Sequence, residues 1–276
     1  MFLFLVASGL SLIFGVLRVL NFAHGSFYML GAYGAFQIIQ WIGVGPHVFW
    51  IAALGAGLAV AVLGGLIEYL LFRRLYGKDE LFQLLFTYAL VLILGDAAKL
   101  MWGTQQKGVS RPAILEDAFK LFGATVPYYN LFILLLGLAI ALGFWFVIQR
   151  TRVGRIVRAA ALDRETLGAL GVNVTALYTG VFVVASFLAG LGGALVSPVR
   201  GIVPGMDTEI IVEAFVVVVI GGLGSFWGTF LGALIYGQVL SFGILFFPRF
   251  SIFSVFALMA VVLIVRPWGL LGKPMK

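Results

Sequence analysis

Long runs of apolar residues, separated by short polar connections, fill most of the chain as far as residue 265. Runs of eighteen or more residues with few charges are typical of helices that span a bilayer. The 48–71 run would form a helix roughly 36 Å long, at about 1.5 Å per residue. Equally clear runs cover 81–102, 129–148, 176–199, 228–247 and 251–265.

Three further runs are less regular. The 1–20 run is apolar up to Arg18, the 27–42 run is short for a span, and the run from Ile210 onward is interrupted by the glycines of 220–225. The first run has no basic start and no small-residue cleavage site, so it predicts a retained helix and not a signal peptide. The pattern therefore predicts an all-α polytopic membrane protein with about eight or nine transmembrane segments, some of them broken. All 276 residues are expected to form a single transmembrane domain.

Composition supports this fold class. Of the residues, 62% are hydrophobic and 11% are charged, whereas soluble domains carry roughly 25% charged residues. Too few charges are therefore present for the polar surface of a soluble globular protein. The chain has no cysteine and only two histidines, His24 and His47, so no metal site is predicted.

The net charge of +7 comes from loops enriched in Lys and Arg, a feature of the cytoplasmic side of membrane proteins. Alternating the spans places three basic groups on one side and loops of mixed charge on the other. The C-terminus is therefore predicted to be cytoplasmic, and no nucleic-acid partner is expected. The three basic groups are Arg73, Arg74 and Lys78; Arg150, Arg152, Arg155, Arg158 and Arg164; and Arg266, Lys273 and Lys276.

The connection from 149 to 173, called here the 149–173 segment, predicts two short helices. Asp163 is a suitable cap for the second, 164–170, which Gly171 would end. In the first, apolar and basic residues fall on different faces. Two interpretations remain open, namely an amphipathic anchor on lipid headgroups and a docking site for a partner. The apolar positions are Val153, Ile156, Val157 and Ala160; the basic ones are Arg152, Arg155 and Arg158.

The residues 154–159, 163–165 and 170–172 resemble the cytoplasmic coupling segment of ABC-transporter permeases, most closely that of the branched-chain amino acid permeases. The same family resemblance extends over nearly the whole chain, and most closely to the shorter of its two homologous permeases. Relatives usually have a further apolar stretch before the position of Met1, so a truncated first helix or a different start is expected. The other segments that carry the resemblance are 9–25, 27–33, 220–225 with Gly228 and Gly232, and 266–272.

This resemblance implies a subunit of an ATP-driven importer in the bacterial inner membrane, which works by alternating access. Its partners would be two ATPase subunits, a second homologous permease and a periplasmic binding protein, besides the lipid bilayer. No phosphate-binding loop occurs in this chain, so ATP and Mg would be bound by the ATPases and no cofactor by the permease. The implied ATPase-coupling residues are Gly154, Arg155, Arg158, Ala159, Asp163, Arg164 and Glu165.

Two polar or glycine-bearing interruptions are candidates for the translocation path. One interpretation of the first is a broken helix at membrane depth, whose following helix offers its N-terminus to a substrate carboxylate. The other is a cytoplasmic turn capped by Asn21 or Ser26. The candidate residues are Asn21, Phe22, His24 and Gly25 in the first interruption, and Gly221, Gly222, Gly224 and Ser225 in the second.

Four charged residues fall in or near the spans, and a structural role is predicted for each. Glu68 lies close to a basic loop, and Asp96 has the helical ion-pair spacing with Lys99. Glu213 has no obvious local partner and is expected near the outer surface with Asp207 and Glu209. The glycines of 190–193 and 228–232 predict close helix packing, with a hinge as the alternative.

An ion-coupled secondary transporter is the alternative function, but it would need membrane-embedded acidic residues, which are scarce in this sequence. A membrane enzyme is disfavoured because no Gly-x-Ser-x-Gly or His-Glu-x-x-His motif is present. Branched-chain amino acids follow from the resemblance alone, and related small amino acids or amides remain open.

Overall fold

The computed structural model describes residues 1–43, 45–121 and 124–272; Lys273 and Lys276, two of the predicted C-terminal basic residues, lie outside the described residues. Most of the chain is helical. In chain order the elements are α1 (Phe2–Leu17), α2 (Ala23–Ile42), α3 (Val48–Leu70), α4 (Glu80–Trp102), β1 (Ala118–Leu121), β2 (Ala124–Pro127), α5 (Tyr128–Arg150), α6 (Arg152–Leu162), α7 (Arg164–Ala169), α8 (Val174–Val196), α9 (Met206–Gly221), α10 (Phe226–Phe246) and α11 (Ser251–Val265).

Within the described residues, six helices are long and apolar enough to cross a bilayer: α3, α4, α5, α8, α10 and α11 with the short turn before it. The apolar α1 and α9 have 16 residues each. Large apolar side chains such as Leu92 on α4 and Phe253 on α11 are exposed, as expected of helices that face lipid. The chain is therefore an all-α polytopic membrane protein.

A small antiparallel hairpin between α4 and α5, β1 paired with β2, was not predicted. Phe119 lies opposite Val126, and Lys120 lies opposite Thr125.

Helix α2 begins four residues earlier than the apolar run that predicted it. His24, Gly25 and Ser26 lie inside its first turn, and Phe22 is the N-cap residue. The prediction that Asn21 or Ser26 caps this helix is therefore wrong. These polar residues can lie within the buried helix because their side chains have hydrogen-bond partners. His24 Nε2 lies 3.0 Å from the Val6 carbonyl, and Ser26 Oγ donates to Asp207. The interruption itself, called here the α1–α2 break, is limited to residues 18–22.

Helix α8 lies at the centre of the fold, in contact with α1, α2 and α3. Glycines make these contacts possible. A Cβ on Gly31 of α2 would overlap the backbone of Gly190, and a Cβ on Gly193 would overlap the Tyr28 carbonyl. In lipid, such close approach of small residues supplies the packing that holds helices together. The interpretation of the 190–193 glycines as packing residues is confirmed.

The loops collect at two ends of the helix bundle. At one end, residues 77–83 and 160–165 line a common cavity together with Arg18, so two of the basic groups and the α1–α2 break lie together. The connections that precede α5 and follow α8 meet elsewhere, where Lys107 and Ile202 exchange two backbone hydrogen bonds of 2.9 Å. These contacts agree with the predicted grouping of the first two basic loops.

The residues after α11 fold back onto the turn between α9 and α10, residues 222–225, called here the α9–α10 break. The N–H groups of Leu270 and Leu271 donate to the carbonyls of Ile220 and Gly221, at 2.9 and 3.0 Å. These carbonyls belong to the last turn of α9, where carbonyl groups have no hydrogen-bond donors within their own helix. Gly222 and Gly269 have positive φ and approach each other closely. Two segments of the family resemblance, 220–225 and 266–272, thus pack on one another.

The central glycine contacts give a stability prediction. Gly193→Ala should lower the stability of the purified protein by about 1–3 kcal/mol, because a methyl group forced into a packed contact strains its neighbours. Gly180→Ala, on the same helix but with open space at its Cβ position, should be neutral or slightly stabilising. Melting temperatures in one detergent measure the difference, and equal melting temperatures would contradict the packing role of Gly193.

Candidate functional site

The 149–173 segment forms the two predicted helices, α6 and α7. Thr151 begins α6, because its Oγ1 accepts the Gly154 N–H at 3.1 Å. Asp163 begins α7, because its Oδ1 accepts the N–H groups of Glu165 and Thr166, both at 3.0 Å. Gly171 follows α7 with a positive φ of 85°. The predicted capping role of Asp163 and the stop at Gly171 are confirmed.

The Asp163 carboxylate is held in its charged form by these hydrogen bonds. The Thr166 side chain and backbone, followed by the Glu165 N–H, lower the pKa of Asp163 below its usual value. A lowered pKa in the folded state stabilises that state above the ordinary pKa of aspartate, and this contribution is lost as the pH falls through the folded value. The cap is therefore intact at neutral pH.

The apolar residues of α6 are only partly buried. Gly154, Val157 and Ala160 are buried, whereas Val153 is 58% exposed. Gly154 decides this orientation, because a Cβ there would overlap the carbonyls of Val147 and Ile148 at the end of α5. Val153, one of the four apolar positions at helical spacing, is therefore not part of the buried face. The segment exposes both apolar and basic side chains: Arg152, Val153, Arg155, Leu162, Arg164 and Leu170.

The two central arginines of α6 have different environments. Arg158 is half-buried, and its Nη1 donates to the Ile148 carbonyl near the C-terminus of α5, where a positive charge is favoured by the helix dipole. Arg155 is exposed, and Ala159 between them is half-buried. Arg158 therefore fastens α6 to α5, and Arg155 is free to contact a partner.

A cavity of about 460 Å³ lies between the 149–173 segment, residues 77–83 and the end of α1. Asp163, Arg164 and Glu165 line one wall of it. Arg18 lines another, and its Nη2 donates to the Ala161 carbonyl at 3.4 Å. Arg18 also has a positive φ of 57°, which is uncommon for a residue other than glycine. The α1–α2 break is therefore in direct contact with the 149–173 segment and shares a cavity with three of the predicted coupling residues.

The four candidate residues of the first interruption, two in the α1–α2 break and two in the first turn of α2, are enclosed. Asn21 is fully buried, and neither of its amide atoms has a hydrogen-bond partner among the described residues. Phe22 stacks on Phe215 of α9, with ring centroids 5.6 Å apart. His24 faces α1, as described above. Gly25 is pressed against the Asp207 carbonyl so closely that a Cβ would overlap it.

The candidate residues of the α9–α10 break form a tight turn. Ser225 begins α10, since its Oγ accepts the Gly228 N–H at 3.2 Å. Gly222 and Gly224 have positive φ, and Gly221 packs against Gly228. Gly224 also packs on Gly15, three residues before the α1–α2 break. Both breaks therefore lie at the same end of α1.

All four charged residues in or near the spans have a partner. The Tyr76 hydroxyl donates to Glu68 at 2.9 Å, and Lys99 lies 2.9 Å from Asp96 as its spacing predicted. Glu213 has no partner nearby in sequence, as expected, but it lies 3.8 Å from Arg200. Arg200 is thirteen residues away in the connection before α9, a distance at which sequence spacing gives no pairing signal.

Sequence reasoning missed Asp207, which it grouped with the outer loop. The residue is 3% exposed, and its Oδ2 accepts the Ser26 hydroxyl at 3.1 Å. Pro204 and Gly205 precede it, and an acidic residue just after such a turn is typical of the first turn of a helix. That signal would have placed Asp207 at the start of α9. Among the described residues, no group of three or more His, Asp or Glu side chains could hold a metal ion.

Comparison with known proteins identifies relatives along nearly the whole chain. The family described as branched-chain amino acid transport system / permease component matches residues 1–265. The permease protein BraD of a high-affinity branched-chain amino acid transport system in Pseudomonas aeruginosa is 30% identical, over 98% of this chain and 91% of its own length. LivH of Escherichia coli K12, from a transport system of the same description, is 29% identical over the same shares. LivM of Salmonella typhimurium is 27% identical over 95% of this chain, which covers 66% of that longer protein. No solved structure matches.

The different environments of the two arginines give a prediction. Arg158→Gln should speed amide exchange in α6 by about tenfold, because a hydrogen bond from a charged group is worth roughly 1.5–3 kcal/mol. Arg155→Gln should leave the exchange unchanged. Hydrogen–deuterium exchange of residues 152–162 measures both, and equal exchange in the two variants would refute the fastening role of Arg158.

Proposed function

Because the chain belongs to the branched-chain amino acid transport permease family, we propose that it is the transmembrane subunit of an ATP-driven ABC importer. The permease role follows from the family match over residues 1–265. The likeness to BraD and LivH, which cover nearly the whole chain, supports branched-chain amino acids, or related small amino acids and amides, as the substrates. The protein resides in the bacterial inner membrane, with its C-terminus in the cytoplasm.

The energy for transport comes from partner subunits. The described residues include six helices suited to a bilayer, and the sequence lacks the Gly-x-x-x-x-Gly-Lys-Ser/Thr loop that cradles nucleotide phosphates. Two ATPase subunits therefore bind ATP and Mg outside this chain. A periplasmic binding protein delivers the substrate, and a second, homologous permease completes the path. The likeness to both LivH and the longer LivM supports a pair of different permeases.

The ATPase docks on the 149–173 segment. Leu162 is 85% exposed and Leu170 is 76% exposed, beside the exposed Arg155 and Arg164. Mixed apolar and cationic surface of this kind suits a protein groove with an acidic rim. A lipid-anchored helix would bury its apolar residues in the headgroup layer, but here the apolar residues are interspersed with the arginines.

Movement of the ATPases reaches the membrane helices through two covalent and two noncovalent links. The segment continues directly into α5 and α8. Arg158 ties it to the end of α5, and the Ala161 carbonyl accepts from Arg18 at the α1–α2 break. A shift of α6 and α7 would therefore displace α1, α5 and α8 together. Alternating access requires such a coupled movement.

Charge reversal tests the docking surface. Arg155→Glu should reduce copurification of the ATPase subunits at least about tenfold, because it places a like charge against the acidic rim of the groove. Arg249→Glu, an exposed residue in the connection between α10 and α11, serves as the matched control and should leave copurification unchanged. The complex is purified in mild detergent with the second permease coexpressed. If neither the wild type nor the control retains an ATPase, the ABC assignment fails.

Leucine uptake into proteoliposomes that contain the assembled complex separates this function from an ion-coupled carrier. Uptake should require the binding protein outside and hydrolysable ATP on the ATPase side. Uptake driven by a proton or sodium gradient without ATP would instead support the secondary-transporter alternative.

A further inference from the structure

Two carboxylates are buried among the described residues, and they differ in how far nearby groups compensate their negative charge. Glu68 is fully buried, accepts the Tyr76 hydroxyl and has Arg73 at 3.9 Å. Asp207 is 3% exposed and accepts the Ser26 hydroxyl, but no Lys, Arg or His of the described chain lies within 4.0 Å of it. A buried carboxylate without a cation is costly. Asp207 is therefore the candidate that most needs an explanation.

Asp207 lies well inside the bundle. A Cβ on Gly95 of α4 would be 3.8 Å from its Oδ2. Gly95 is seven residues before Trp102, the last residue of α4, so Asp207 lies roughly 10 Å below that end at 1.5 Å per residue. The dipole of α9 favours a negative charge in its first turn, but such an effect is worth only about 0.3–2 kcal/mol. A charged carboxylate at this position would therefore be stabilised further by a nearby cation.

A line of polar side chains on α2 leads from that end of α4 to Asp207. Ser26, Tyr33 and Gln37 lie at spacings of seven and four residues, so they share one face of the helix. Gln37 accepts a hydrogen bond from the Trp102 indole at 2.9 Å, and Tyr33 stacks on the same indole with ring centroids 4.9 Å apart. Ser26, at the inner end of the line, donates to Asp207.

The Tyr33 hydroxyl lacks a partner. It is fully buried and makes no hydrogen bond in the described structure. Buried hydroxyls are nearly always hydrogen-bonded, so an orphaned one indicates a missing ligand or water. Tyr33 offers an oxygen acceptor on the same face of α2 as Ser26, and Ser26 contacts the Asp207 carboxylate of α9. An oxygen acceptor together with a carboxylate matches the needs of a primary ammonium group, which carries three donors and a positive charge.

We propose that Asp207 and Tyr33 bind the ammonium group of the transported amino acid as it passes between α2, α4 and α9. Ser26 is a positioning residue, because its hydroxyl holds Oδ2 of Asp207 and leaves Oδ1 for the substrate. The proposal rests on the importer function and names a substrate contact for it. In the conformation described here the site is closed, and the polar line on α2 is its route of access.

Maximal leucine uptake in proteoliposomes, with saturating leucine-loaded binding protein and ATP, tests the assignment. Asp207→Asn keeps the shape and removes the charge, and uptake should fall by about a hundredfold, because removal of one partner of a buried charge pair leaves the other charge uncompensated. Asp96→Asn is the matched control: Asp96 is adjacent to Gly95, its side chain is 73% exposed, and it is paired with Lys99. The control should transport like the wild type.

Tyr33→Phe decides the outcome if Asp207→Asn does not fold. The Tyr33 hydroxyl has no partner in the closed structure, so its removal should leave the melting temperature unchanged or raised. Uptake should nevertheless fall about tenfold, the value of one hydrogen bond of roughly 1.5 kcal/mol. Wild-type uptake in Tyr33→Phe, or in a folded Asp207→Asn, would overturn the site. If the wild type itself shows no ATP-dependent uptake, the importer function fails instead.

Discussion

The close approach of α8 to α1, α2 and α3 is the contact on which the rest of the molecule depends. At Gly31 and Gly190, and at Gly193 and Tyr28, backbones touch without intervening side chains. Inside a bilayer, apolar surfaces gain little by leaving lipid for protein, so shape and hydrogen bonding must hold helices together. The glycine contacts fix α2 against α8. The first turn of α2 is thereby placed beside α9, where Ser26 meets Asp207.

With α2 and α9 in these positions, neighbouring segments can stabilise the interruptions in the helices. Backbone groups at a helix end need partners when no water is available. The C-terminal segment supplies partners to the end of α9 through Leu270 and Leu271. At the α1–α2 break, Arg18 adopts a left-handed conformation and donates to the 149–173 segment. The proposed ATPase contact, the cavity of about 460 Å³ and the break in the membrane helices are therefore neighbours in one continuous structure.

Much of the fold could be predicted from the sequence, because apolar runs and caps are local signals. The runs at 48–71 and 251–265 match α3 and α11 within one residue at each end, and Asp163 and Gly171 were placed correctly in α7 and its stop. The features that the sequence did not reveal depend on contacts between different elements. Ser26 is held by a residue 181 positions away, and Val153 is exposed because Gly154 must face α5. Periodicity alone carries no information about such contacts.

The cytoplasmic location of the 149–173 segment is the central claim, and cysteine labelling tests it most directly. The chain has no cysteine, so a maleimide can label it only at a single introduced cysteine. Leu162→Cys and Ile114→Cys are both highly exposed positions, in the 149–173 segment and between α4 and α5 respectively. In intact spheroplasts a membrane-impermeant maleimide should label only Ile114→Cys, and in inside-out vesicles only Leu162→Cys. Labelling of Leu162→Cys from outside the spheroplast would contradict the proposed orientation and the docking of an ATPase there.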